Sequence, residues 1–292
     1  MYKHIDANKR NTFFIMVGFI VVIAAIATAF AYFFEDWSIL IWVGGVSLGY
    51  VILQYFIAGK LATAMTGAKK IEKKDNPRLW NIVENLSITT GLPMPQVYVI
   101  KDPAPNAFAA GRDPKHAIVA ATTGLMDIMD DKELTAVMAH EMAHVKNYDI
   151  RVATIVFGLV CLIGLLSDIG VRMVFFGGRS SDRNSSPVGL VIMIVTAIVA
   201  PLAASLAQMA VSRQREYLAD SSASLITRYP EGMVSALRKL EAHARPMRQQ
   251  NPAAASLFIS NPMRKGALSG LFSTHPPIEK RIARLESGKK SF

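Results

Sequence analysis

The chain has 292 residues, 51% of them hydrophobic and only 18% charged, with a formal net charge of +10. Such a balance excludes an ordinary soluble domain and points to membrane spans joined to a polar domain. No aromatic-interleaved basic motif accompanies the positive excess, which excludes nucleic acid as a partner in favour of Lys and Arg flanking spans, and the single cysteine, Cys161, excludes an internal disulfide or a cysteine-built zinc framework.

Residues 1–10 form a polar start carrying Lys3, Lys9 and Arg10. Residues 13–34 hold no charge and are long enough to cross a bilayer core of about 30 Å. This stretch is too long for a cleavable leader and lacks a small-x-small exit. Glu35, Asp36 and Trp37 make an acidic turn, residues 38–58 a second span, and Lys60, Lys69, Lys70, Lys73 and Lys74 follow. Positive charge outside the pair and none in its turn puts both ends of this hairpin in the cytoplasm.

From residue 60 the composition becomes that of a globular domain. Asn76 and Pro77 read as an N-cap and first-turn proline, Gly91 as a terminator, with Leu79, Ile82, Val83 and Leu86 as a core stripe between them. Residues 96–100 read as a strand. Asn106, Ala107, Phe108 and Ala109 precede a glycine turn, and His116, Ala117, Ile118, Val119, Ala120 and Ala121 read as another strand. Asp130 with Glu133 three residues on is a capping box for the next helix.

That helix carries His140, Glu141 and His144. Positions four apart share a helix face, so the two imidazoles can meet at one point, as half of a tetrahedral zinc site. Glu141 lies about 100° further round, beside the metal without ligating it, as a general base requires. Lys146, Asn147 and Asp149 place the motif in water.

Residues 152–166 form a third apolar run, with Asp168 and Arg172 near its far end, and 177–186 a polar loop rich in glycine and serine. Residues 188–211 form a fourth run, which Pro201 kinks. If these two runs make a hairpin, its tip falls near residue 180, midway between the motif around residue 142 and a Glu216–Asp220 pair around residue 218. The two segments then stand at one height, above the membrane on the cytoplasmic side. Glu216 becomes the best third ligand, and Asp220, one turn on, can orient a ligand imidazole. Beyond residue 230 the chain is basic and helical; Ser273, Thr274, His275, Pro276 and Pro277 open a last helix over 278–285.

With the N-terminal hairpin, Asn106 to Ala109, Thr123-Gly124-Leu125, His140-Glu141-Met142-Ala143-His144, Arg215 to Asp220 and Ser273 to Pro277 together, the sequence resembles the HtpX family of bacterial membrane metalloproteases, relatives of the CAAX prenyl protease. The resemblance covers almost the whole chain. It implies a mainly α (α+β) fold, a gluzincin-like zinc-protease domain with a small sheet fused to four transmembrane helices in two hairpins. The expected units are 1–59, the first hairpin; 60–151, the protease part with the zinc motif; 152–211, the second hairpin; and 212–292, the part with the third ligand.

The same resemblance implies one zinc ion per chain on His140, His144 and Glu216, with Glu141 as base. It implies a multi-pass protein of the bacterial inner membrane, with active site and termini cytoplasmic. Its partners are the bilayer and misfolded membrane and cytosolic polypeptides, within quality control and the stress response. It also implies that His116 to Ala121 is the edge strand that receives substrate, by main-chain pairing; the sequence leaves open an internal strand. His275 either stabilises the oxyanion or packs beside Pro276 and Pro277. Two rival readings are a membrane scaffold with a structural zinc site, closed by four protein ligands, and a transporter, which Asp168 and Arg172 support only weakly.

Overall fold

The computed structural model describes residues 2–33, 35–176, 213–251, 253–263 and 276–288. His275, the loop 177–186 and the apolar run 188–211 lie outside the described residues.

Two long helices open the chain, α1 (Tyr2–Phe33) and α2 (Ser38–Thr66), joined by the acidic turn at Glu35 and Asp36. Within α2, Leu40–Thr66 is a 27-residue stretch long and apolar enough to cross a membrane. Phe14, Val21, Ile41, Trp42 and Val46 stand exposed on the two helices. Their inward sides meet the first half of α6 (Asp149–Phe176), where Ile15, Phe19, Ile23, Val51, Ile155 and Leu159 form a separate apolar cluster. The α2–α6 contact is close because residue 158 is glycine: a Cβ there would lie 2.1 Å from the Gln54 amide. Gln54 uses that approach to donate to the Thr154 and Ile155 carbonyls at 3.1 and 3.2 Å.

After α2 come β1 (Lys69–Lys70), α3 (Pro77–Thr90), β2 (Gln96–Ile100), β3 (Ala107–Ala110), a 3-10 turn (Pro114–His116), β4 (Ile118–Thr122), α4 (Thr123–Ile128) and α5 (Asp131–Lys146). Beyond α6 the described helices are α7 (Arg213–Thr227), α8 (Pro230–Ala242) and α9 (Ile278–Gly288). Asn76 caps α3 through the Leu79 N–H, and Gly91 ends it in the left-handed conformation, where lack of a Cβ removes the steric penalty.

The sheet order is β1-β2-β4-β3, with β2 and β4 parallel and the outer pairs antiparallel. This corrects the expectation that His116 to Ala121 form an edge. His116 belongs to the 3-10 turn, because Pro114 sets its first position and the Asp113 carboxylate accepts from the His116 N–H. The strand starts at Ile118 and pairs on both sides, so all five of its residues are buried. The edge on that side is β3. Helix α5 runs beneath the sheet and is enclosed by α3, α7 and α8. Leu134, Val137, Met138 and Met142 from it join Leu79, Val83, Val119 and Leu237 in the domain core.

Candidate metal centre

Helix α5 presents its second half to the cleft, and its start is fixed in two ways. Asp130 accepts from the Glu133 N–H at 2.8 Å, and Glu133 reaches back to the Asp130 N–H at 2.9 Å. The Glu133 carboxylate also accepts from Ser235 and Lys239 of α8, each at 2.6 Å. At the other end Tyr148 takes a left-handed φ of 61°, uncommon for a residue with a side chain. The chain therefore breaks from α5 and re-enters helix at Asp149, whose carboxylate turns back towards the motif.

Three donors converge. His140 Nε2 and His144 Nε2 are 3.1 Å apart; Glu216 of α7 approaches them at 3.6 and 3.5 Å through its two carboxylate oxygens. A tetrahedral zinc with bonds of about 2.0–2.1 Å needs ligand atoms roughly 3.3 Å apart, so this set fits the ion. Each imidazole is held from behind. His140 Nδ1 faces Asp220 at 2.9 Å, and His144 Nδ1 faces Asp149 at 2.9 Å. Carboxylates on both Nδ1 atoms leave the two Nε2 lone pairs pointing at one place, an arrangement that a cation between them stabilises.

Charge around the centre favours that cation. Burial by itself would lower the His140 imidazole pKa, but the Asp220 and Glu216 carboxylates outweigh it and raise it to about 9 in the metal-free chain. His144 rises for the same kind of reason, with Asp149 and Glu216 overcoming burial. Burial would raise Asp220; Arg281 of α9, which donates Nε and Nη2 at 2.8 and 2.6 Å, prevails and holds that carboxyl at about 2. Glu141 is buried and lines the same cleft as His140, His144, Glu216 and Ala109.

The structure thus brings together His140, Glu141, His144, Glu216 and Asp220, and it does not bring His116 there. His116 is half exposed and pairs with Asp113 at 2.7 Å. Two residues of the centre escaped the sequence reading. Asp149, which with Lys146 and Asn147 points in the sequence to aqueous surroundings, is buried, and so is Asn147. Arg281 is 1% exposed and carries no motif, but it falls in the stripe Ile278, Ile282, Leu285 of an otherwise amphipathic helix. A charge inside an apolar stripe was the available signal.

A small mixed sheet beside a helix bearing paired histidines, with a carboxylate from a second helix, defines a metallopeptidase. The chain belongs to peptidase family M48, whose model matches residues 73–289. It is 54% identical over 292 residues to a protein described as "Protease HtpX homolog" from Tropheryma whipplei (strain Twist), with 100% of both chains covered. A protein of the same description from Limosilactobacillus fermentum is 46% identical over 301 residues, covering 98% of this chain and 99% of that one. Among solved structures, the crystal structure of S. mikatae Ste24p shares the fold at a TM-score of 0.51 and 20% identity. The match covers 96% of this chain, which spans 65% of that one.

Proposed function

We propose that this metallopeptidase is a zinc endopeptidase of the bacterial inner membrane, cleaving misfolded membrane and cytosolic polypeptides at the cytoplasmic face. Such an activity belongs to quality control under stress. The observation that carries the zinc assignment is the near-tetrahedral spacing of the His140, His144 and Glu216 donors, with a carboxylate behind each imidazole. Zinc held there supplies Lewis acidity towards water and the peptide carbonyl. Glu141 accepts the proton of the attacking water and delivers it to the leaving amine. With zinc on their Nε2 atoms, His140 and His144 would be neutral ligands, each oriented by the carboxylate that faces its Nδ1, Asp220 and Asp149 respectively.

Substrate binds at the outer edge of β3 beyond Phe108, which is itself bridged to Phe258. The Ala107 carbonyl already accepts from the Ile259 N–H at 3.0 Å, so Ala107 turns outward. Outward groups recur every second residue in a strand, which makes Ala109 the next, and Ala109 lines the cleft. Main-chain pairing there demands little of substrate side chains.

The membrane part comprises residues 1–59 and 152–211 as two hairpins of four helices, and the protease is built from 60–151 and 212–292. Exposed aromatic and aliphatic side chains on α1 and α2 support burial in lipid. Lysines in β1, just beyond α2, support a cytoplasmic site and cytoplasmic termini.

Metal analysis of Glu216→Ala tests the ligand set. Zinc content should fall well below one per chain and hydrolysis of an unfolded protein should stop; full retention of zinc would reject Glu216 as ligand. Orientation is checked with single cysteines in a Cys161→Ser background. Ser38→Cys should label from outside intact cells and Lys70→Cys only after permeabilisation, and the reverse pattern would invert the topology.

A further inference from the structure

We infer that Asn8, on the first helix, is a positioning residue of the metal centre, acting through Asp149 on the His144 imidazole. The inference rests on the zinc reading above. Asn8 is 5% exposed although it lies just before the lipid-facing part of α1. Its Nδ2 donates to Asp149 Oδ1 at 2.6 Å and to the Asn147 carbonyl at 2.9 Å. Its own Oδ1 accepts from Arg215 at 3.4 Å.

The two oxygens of Asp149 therefore divide their work: Oδ2 faces His144 Nδ1 and Oδ1 receives the Asn8 amide. Rotating the carboxylate to follow a displaced Asn8 would carry the imidazole partner with it. Asn8 also spans the left-handed break at Tyr148, because Asn147 ends α5 and Asp149 begins α6. Arg215 stands 4.0 Å from Asp149 Oδ1 and also donates to Asn8 Oδ1. Truncating Asn8 leaves the Asn147 carbonyl and one Asp149 oxygen short of a donor in a buried place, where that deficit is expensive. Helix α1 packs on both α2 and α6, so the first apolar helix is a component of the catalytic centre as well as an anchor.

The test uses the full chain in detergent micelles. Zinc affinity is read by competition with a chromophoric chelator, the ligand field by the absorption of the cobalt(II)-substituted protein, and folding by thermal melting. Asn8→Ala should weaken zinc about 10-fold or more, in the range usual for groups that orient metal ligands, and shift the cobalt bands. Asn8→Leu, which keeps the number and branching of the side-chain heavy atoms without the amide, should do the same. Thr12→Val removes the hydroxyl that donates to the Asn8 carbonyl one turn away, disturbing the same helix, and should leave zinc affinity at the wild-type value. In an Asp149→Asn background, Asn8→Ala should add little, because both act on one interaction.

Wild-type zinc affinity and unshifted cobalt bands in both Asn8 variants would overturn the inference, and so would full additivity with Asp149→Asn. If instead Glu216→Ala retains zinc, the ligand set itself is wrong and the inference falls with it. The Glu216 variant alone reports that failure.

Discussion

Asp220 serves two buried neighbours at once, facing His140 Nδ1 at 2.9 Å on one side and accepting from two nitrogens of Arg281 on the other. The Arg281 guanidinium is 1% exposed, and its next carboxylate, Glu216, is 4.0 Å away. Asp220→Asn should therefore damage stability and metal binding together. Leaving a buried partner charge uncompensated costs about 3–5 kcal/mol, and loosening an imidazole's orientation costs about 10–100-fold in metal affinity. Asp149→Asn should weaken zinc to a similar degree with a smaller loss of stability, since Arg215 Nε stands 4.0 Å from Asp149 Oδ1, against 2.8 and 2.6 Å for the Arg281 nitrogens on Asp220. Denaturant melts of the metal-free proteins alongside chelator competition separate the two effects. An Asp220→Asn protein as stable and as tightly metallated as wild type would refute this account of the pair.

Glu133 sets where α5 begins and ties it to α8, so the placement of the motif helix depends on one carboxylate. Burial alone would raise its pKa, but Lys239, Ser235 and the Asp130 N–H outweigh burial and keep it below the usual carboxylate value of 4.5. A group with a lowered folded-state pKa stabilises above its unfolded value and loses that contribution as pH falls through the folded value. Glu133→Gln should cost about 1–2 kcal/mol at neutral pH, and the gap to wild type should close as pH drops below about 4.5. Stability curves that stay parallel down to acid unfolding would contradict this. The start of α5 was legible in the sequence because capping is local chemistry, as were Asn76, Gly91 and the strand at Gln96–Ile100. Neighbour order in the sheet was not. β3 contains three alanines among four residues, without the β-branched pattern that marks a strand, and periodicity in Ile118–Thr122 cannot say which strands flank it. Glu216 was found through its height relative to the motif, whereas Arg281 approaches from a third segment that no spacing rule connects to the motif.

At the scale of the molecule, apolar helices and metal centre form one construction. Asn8 and Gln54 link the opening hairpin to the residues around α6, through Asp149 and through Thr154 and Ile155. The Thr154 hydroxyl in turn accepts from the Gly111 N–H at the end of β3. The edge proposed to hold substrate, the helix that follows the paired histidines and the opening apolar hairpin are thus tied at successive points of α6. All of this positions the one chemical act proposed for the site, proton transfer by Glu141 beside a metal on His140, His144 and Glu216. The direct test is Glu141→Gln in the full-length protein, since an amide of nearly the same size cannot take a proton from water. Hydrolysis of an unfolded polypeptide should fall by at least about 10²-fold, the lower end of general acid–base contributions, while one zinc per chain remains bound. Cleavage at the wild-type rate by the zinc-loaded Glu141→Gln protein would contradict the account.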